Sequence, residues 1–237
     1  MKKSFKLTVT KFCKRTTCLV LAALVLIPAI SYSMPNGFKS AKALSSYETV
    51  GVGKKLVDCF PGEDRLFAQY VYEKILGKSC WFSEVMEYKL VDDDVKAIQN
   101  CKTIDMRRSA FVSDRYRCSD ITGIQNFINL TSLNVSHNKL SFLPELPAGL
   151  TYLNISENQF TSLPDLPTGL LYLNVSGNYL DFLPDDLPAG LVVLNVSGNK
   201  LKSLPKLPAS ITNLNISSNQ FTIKPSNLPD GITCLCI

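Results

Sequence analysis

Leu150-Thr151-Tyr152-Leu153-Asn154-Ile155-Ser156-Glu157-Asn158-Gln159-Phe160, followed by Thr161-Ser162-Leu163-Pro164-Asp165-Leu166-Pro167-Thr168-Gly169, is a unit that recurs along the chain. Successive copies start at Leu130, Leu150, Leu170, Leu191, Ile211 and Ile232, with spacings of 20, 20, 21, 20 and 21 residues. A fixed period in that range is the mark of a stacked-repeat architecture. Positions 4 and 6 of the unit are apolar and alternate with polar neighbours, which reads as a short strand with one buried face. Leu153 and Ile155 point inward on this reading, as do Leu173 and Val175, and Leu194 and Val196.

Position 9 is Asn in every full copy: Asn138, Asn158, Asn178, Asn199 and Asn219. An amide can both donate and accept, so this residue is expected to satisfy loop backbone groups of its own and the neighbouring coil. The Leu-Pro pairs that follow predict an extended return, because each proline fixes its own φ and pushes the preceding residue out of the helical region. One coil cannot bury its own apolar edge, whereas stacked coils can. This pattern resembles the leucine-rich repeat, in its short bacterial form with a Leu-Pro-x-Leu-Pro tail. Five complete copies cover 130–231 and a sixth begins at Ile232. The resemblance implies an α/β repeat fold, a leucine-rich-repeat solenoid with a parallel sheet on its concave side and extended segments on its convex side.

Upstream, Ile121-Thr-Gly-Ile124-Gln-Asn-Phe127 leads into Leu130-Thr-Ser-Leu133-Asn-Val135, which resembles the internalin-type repeat of bacterial surface proteins. Cys101, Ile104 and Met106 have the same strand spacing. The 29 residues from Cys101 to Leu130 exceed one repeat, so a loop insertion is expected near Val112–Cys118. Phe60-Pro61, then Leu66, Phe67, Tyr70, Val71 and Ile75 with Gly77 as a stop, predict an amphipathic helix. A second helix is expected from the Asp92–Asp94 run through Val95 and Ile98, since carboxylates favour a helix N-terminus. Together these resemble the helical N-terminal cap of exported leucine-rich-repeat proteins. The expected organisation is a signal peptide over 1–33 (alternative end 43), a linker over 44–58, a helical cap over 59–100 and the solenoid over 101–237.

The formal net charge of the 237 residues is +5. Six of the 25 basic residues and none of the 20 acidic ones fall within 1–33, which leaves −1 for the rest of the chain. The electrostatic footprint of a nucleic-acid binder is therefore missing from the body. The cationic stretch precedes an apolar run, Cys18 to Ile30, in the order of a secretory signal. Small residues at the required positions place cleavage after Ser33 or after Ala43. The alternative is an uncleaved anchor, against which stand the shortness of the run and Pro28 within it. The membrane enters only through this segment if it is retained.

Cys13 and Cys18 lie in the signal. Six cysteines remain, and an even number in an exported chain suggests disulfides. The expected pairs are Cys59–Cys80 and Cys101–Cys118, each closing a short loop around the cap, with Cys101 as a free core thiol the alternative. In Ile232-Thr-Cys234-Leu235-Cys236-Ile237, which reads as the start of a repeat, Leu235 and Ile237 are expected to face the core. Cys234 and Cys236, two apart on one strand, are too distant to pair with each other; a metal there would need ligands from elsewhere. Either the array is truncated at this end or the end associates with another chain, so the oligomeric state stays open.

No constellation for catalysis is evident. His137 lacks an acid or nucleophile beside it. Asp92–Asp94 lacks the alternating spacing and glycine of a calcium loop. Gly51-Val-Gly53-Lys54-Lys55 lacks the spacing of a phosphate-binding loop. No Cys/His set has zinc spacing. The expectation is no enzyme, no metal and no cofactor.

The outward strand positions carry the functional reading. Position 3 runs Ser132, Tyr152, Tyr172, Val193, Asn213. Position 5 runs Asn134, Asn154, Asn174, Asn195, Asn215, and position 7 is Ser throughout. The uniform Asn and Ser columns can reflect shared repeat ancestry and amides bonding one another, or a hydrogen-bonding surface. Exposed aromatics are good anchors, so the expected partner-binding set is Tyr152, Tyr172, Asn154, Asn174, Val193, Asn195 and Asn213. Their Asn-x-Ser sequons lie on tightly stacked strands, a poor place for glycosylation. The expected function is recognition of a protein or glycan partner by a secreted or cell-surface protein. The alternatives are a secreted pathogen effector without its own catalytic domain, or an enzyme inhibitor.

Overall fold

A computed structural model describes residues 49–237 except 62–64, 79–81, 109–112, 114–115, 224 and 227. All of these lie in one unit, Ser46–Ile237. The expected signal segment and Cys80 fall outside the described residues, as do Val112, Asp114 and Arg115 of the expected insertion near Val112–Cys118.

Seven three-residue strands form one parallel sheet in chain order: β1 Thr103–Asp105, β2 Ser132–Asn134, β3 Tyr152–Asn154, β4 Tyr172–Asn174, β5 Val193–Asn195, β6 Asn213–Asn215 and β7 Cys234–Cys236. Each pairs with the next at the repeat-equivalent residue; Leu133, Leu153, Leu173, Leu194, Leu214 and Leu235 are in register. The inward positions behave as the alternation requires. Leu153, Ile155, Leu173, Val175, Leu194 and Val196 are fully buried. Among the described residues the Leu-Pro returns contain no helix or strand, in line with proline's fixed φ and missing N–H.

The position-9 amides hold successive coils together. Asn158 Nδ2 donates to the carbonyls of Val135, Ile155 and Ser156, and its Oδ1 accepts from Leu140 N–H. Asn178 and Asn199 repeat the same four bonds one and two coils on. Asn138 extends the ladder to the internalin-like coil, reaching the Met106 carbonyl and Cys118 N–H. Position 8 has a feature with no single sequence signature. His137, Glu157, Gly177, Gly198 and Ser218 all have φ between 54° and 64°, the left-handed region. Glycine there costs nothing, while His, Glu and Ser carry strain. His137 is thus a turn residue.

The cap comprises α1 Leu56–Cys59, α2 Leu66–Tyr70 continuing as a π-helical turn Val71–Ile75, α3 Phe82–Glu87 and α4 Asp92–Asn100. Both expected helices are present, and Gly77 follows the first with φ 63°. The π turn places Tyr72 in the core beside Phe67, Ala68 and Val71. At the start of α4, the Asp94 carboxylate accepts from Val91 N–H and from the Tyr88 hydroxyl, and pairs with Lys78 at 3.3 Å. Burial alone raises its pKa, but the Tyr88 and Val91 hydrogen bonds and Lys78 outweigh it, and the net shift is downward. Phe60, Phe67 and Phe127 cluster where cap meets repeats.

Two expectations are corrected here. Residues 49–58, read as linker, belong to the cap. Leu56 and Val57 are buried, and Val50 N–H donates to Asn126 Oδ1. The Cys101–Cys118 link is not formed. Cys101 is a free thiol directed at the Thr103 carbonyl, whereas Cys118 Sγ donates to the Asp120 carbonyl at 3.1 Å. Cys59 is buried with its Sγ toward the Thr49 carbonyl. Cys234 and Cys236 are free and exposed. Leu235 and Ile237 keep the register but are themselves exposed.

Candidate binding face

The outward side of the sheet is built from positions 3 and 5. Because the register is unbroken, Tyr152 lies opposite Tyr172, and Tyr172 opposite Val193. The two rings stack with centroids 4.3 Å apart and planes within 11°. Half-burial pushes the Tyr172 phenol above its usual pKa, and the Tyr152 hydroxyl adds to this. The Asn174 amide opposes it. The stack offers two ring edges and two hydroxyls.

The position-5 amides do not bond one another. In each copy Oδ1 accepts from the backbone N–H of the serine two residues on: Asn134 from Ser136, Asn154 from Ser156, Asn174 from Ser176, Asn195 from Ser197 and Asn215 from Ser217. An N–H can only donate, so the amide oxygen is the atom facing it, and the amide orientation follows from chemistry. What remains is a row of five NH2 groups about 4.8 Å apart, the spacing of neighbouring strands. At position 7, Ser176, Ser197 and Ser217 are half-buried. Ser136 and Ser156 are buried, and their hydroxyls also donate to the Asn oxygens.

Of the expected residues, Tyr152, Tyr172, Val193, Asn154, Asn174 and Asn195 are half-buried on one face, and Asn213 is exposed beside them. Sequence reasoning missed Leu171 and Val192. At position 2 the threonines form their own ladder: Thr131, Thr151 and Thr233 each donate to a carbonyl of the preceding coil. Leu171 and Val192 interrupt that ladder and are 47% and 37% exposed. They precede Tyr172 and Val193 in the chain, and the Leu171 side chain lies near Gly190 at the entry to the next coil. The break in the threonine column was the available signal.

Among the described residues no cluster of three or more His, Cys, Asp or Glu is placed to hold a metal ion. No described helix is long and apolar enough to cross a membrane.

Repeat length, register and the buried amide ladder are those of the leucine-rich-repeat fold. Residues 129–150 and 149–170 match the Leucine Rich Repeat family model. No curated protein is significantly similar to the chain. Among solved structures it resembles YopM from Yersinia enterocolitica, with 38% identity over 51% of this chain and 26% of that one, at a TM-score of 0.48. A Shigella effector leucine-rich-repeat domain shares 29% identity over 67% of each chain, at 0.45. The internalin InlF from Listeria monocytogenes aligns over 73% of this chain and 48% of that one, with 17% identity and a TM-score of 0.53. The chain thus spans about a quarter of YopM's length. The InlF match carries the fold: stacked coils behind a parallel sheet. Proteins of this repeat class are typically binding scaffolds rather than catalysts.

Proposed function

We propose that this is an exported protein that binds another protein through the outward face of its sheet. The observation that carries the reading is the Tyr152–Tyr172 stack at the middle of the array, half-exposed and followed in register by Val193. Interface hot spots are enriched in tyrosine and sit in an apolar centre with a polar rim. Here the rim is the row of amide NH2 groups, which suits a partner presenting carbonyl or carboxylate oxygens. Export rests on the order of charge and apolarity in residues 1–33.

Affinity capture from host and self-surface fractions with the full chain would supply the partner. The double variant Tyr152→Ala, Tyr172→Ala should then bind at least about tenfold more weakly, the scale of losing hot-spot side chains. Its stability should fall by only about 0.5–1.5 kcal/mol, the worth of one aromatic pair. Normal binding by a folded double variant would remove this face from the account.

A further inference from the structure

The start of the Leu-Pro return changes chemistry from one copy to the next. At positions 12, 13 and 16 the third copy, from Leu170, carries Asp181, Phe182 and Asp185. The fourth, from Leu191, carries Lys202, Ser203 and Lys206 at the same positions. Acid, large apolar and acid are thus followed by base, small and base. Position 13 alternates along the whole array: Phe142, Ser162, Phe182, Ser203, Ile223. Phe182 is 60% and Ile223 81% exposed, with the small Ser162 and Ser203 standing between the large side chains.

These positions share one surface. Lys202, Ser203 and Lys206 of the fourth copy and Thr222, Ile223 and Ser226 of the fifth line a single cavity of about 880 Å³. Leu204 and Phe221 give it an apolar wall. Asp181, Asp185, Lys202 and Lys206 are all exposed. Asp181 and Lys202 occupy equivalent places in adjacent coils, yet among the described residues none of the four charges is in an ion pair.

We propose that this surface joins two copies of the chain about a two-fold axis passing between the third and fourth coils. Such an interface is isologous: where one residue meets another, the reverse contact also forms. An axis directed along the coils reverses their order and keeps each position number. Asp181 then faces Lys202 of the second copy, Asp185 faces its Lys206, and Phe182 enters beside its Ser203, at the cavity. One coil further out, Ile223 meets Ser162. The register is selective, because the alternatives oppose like with like. An axis on the third coil sets Phe182 against Phe182 and Asp181 against Asp181; one between the second and third sets Asp165 against Asp185. Phenylalanines seated in cavities are the anchors. Exposed ion pairs add little affinity but fix partner and register. Residues 34–237 carry a net charge of only −1, so two copies do not repel at a distance. The contact does not involve the sheet face, and its test does not depend on that reading.

Sedimentation velocity of the purified full chain tests it, with reductant present to exclude links through the exposed Cys234 and Cys236. The chain should be dimeric at roughly 100 μM, where a contact of micromolar affinity is filled, and monomeric on dilution. Lys202→Asp with Lys206→Asp makes both halves of the surface acidic, and Asp181→Lys with Asp185→Lys makes both basic. Each double variant should self-associate at least about tenfold more weakly, because like charges are then juxtaposed. An equimolar mixture of the two should recover the dimer, since every pair is again of opposite charge. That recovery separates lost pairing from lost folding, and from association through the apolar run near the N-terminus. Phe182→Ala should weaken the dimer at least about tenfold, as loss of an anchor does. A chain that stays monomeric at that concentration overturns the proposal. So does a charge variant that self-associates like the parent, or a mixture that remains monomeric.

Discussion

Asn158→Ala should destabilise the protein by about 3–5 kcal/mol, whereas Asn154→Ala, four residues away in the same repeat, should cost about 1 kcal/mol or less. Both residues belong to columns that are Asn in every full copy. The bonding separates them. Asn158 makes three donations and one acceptance within the core. The carbonyls of Val135 and Ile155 keep a second partner in Asn138 and Asn178, and Ser156 keeps His137 N–H. The Leu140 N–H has no such reserve in the ladder, and an orphaned buried donor costs roughly 1–3 kcal/mol by itself. The lost bonds between coils add to it. Asn154 is half-exposed, and its oxygen serves only Ser156, whose N–H and hydroxyl water can reach once the side chain is gone. Urea unfolding of the two single variants measures the difference. Equal losses would mean that the amide ladder is not what couples the coils.

Leu153→Ala should cost about 2–5 kcal/mol, the range for deleting a buried leucine side chain. Leu153 is fully buried at the centre of β3, in register with Leu133 and Leu173. The neighbouring coils are tied by backbone bonds on either side, so the site cannot collapse to fill the void, which favours the upper part of that range. In a stacked array each coil is supported only by its neighbours, so unfolding should lose its two-state sharpness as well. A loss under 1 kcal/mol would contradict the inward assignment of position 4.

The repeats were legible because one physical requirement, a strand with one apolar face, recurs at constant spacing and pins Leu153 and Ile155 to the core. The role of Asn158 was legible for a related reason: an amide repeated at a turn has few uses other than satisfying backbone. Other positions were not. Position 7 reads as outward by alternation, but the strand has ended before Ser156, and its hydroxyl turns back to Asn154. Position 8 needs a left-handed residue, yet only Gly177 and Gly198 declare it; His137, Glu157 and Ser218 meet the same demand under strain. The cap lacks any period to average over. Its helices at Leu66 and Asp92 were visible from apolar spacing and from Asp94, but the short α1 and the buried Val50 were not. The pairing of Cys101 with Cys118 rested on proximity in sequence, whereas each thiol has a nearby carbonyl as its partner.

The central claim is that the partner rests on the outward sheet face around the tyrosine pair. Hydroxyl-radical footprinting of the full chain, free and bound to its captured partner, tests it most directly, because exposed apolar and aromatic side chains exist on two different surfaces. Tyr152 and Tyr172 stack on the sheet face, while Phe142 and Phe182, 48% and 60% exposed, sit at the start of the Leu-Pro returns. Tyr152 and Tyr172 should be protected on binding, with Phe142 and Phe182 oxidised as before. Protection of Phe142 and Phe182 with the tyrosine pair unchanged would contradict it.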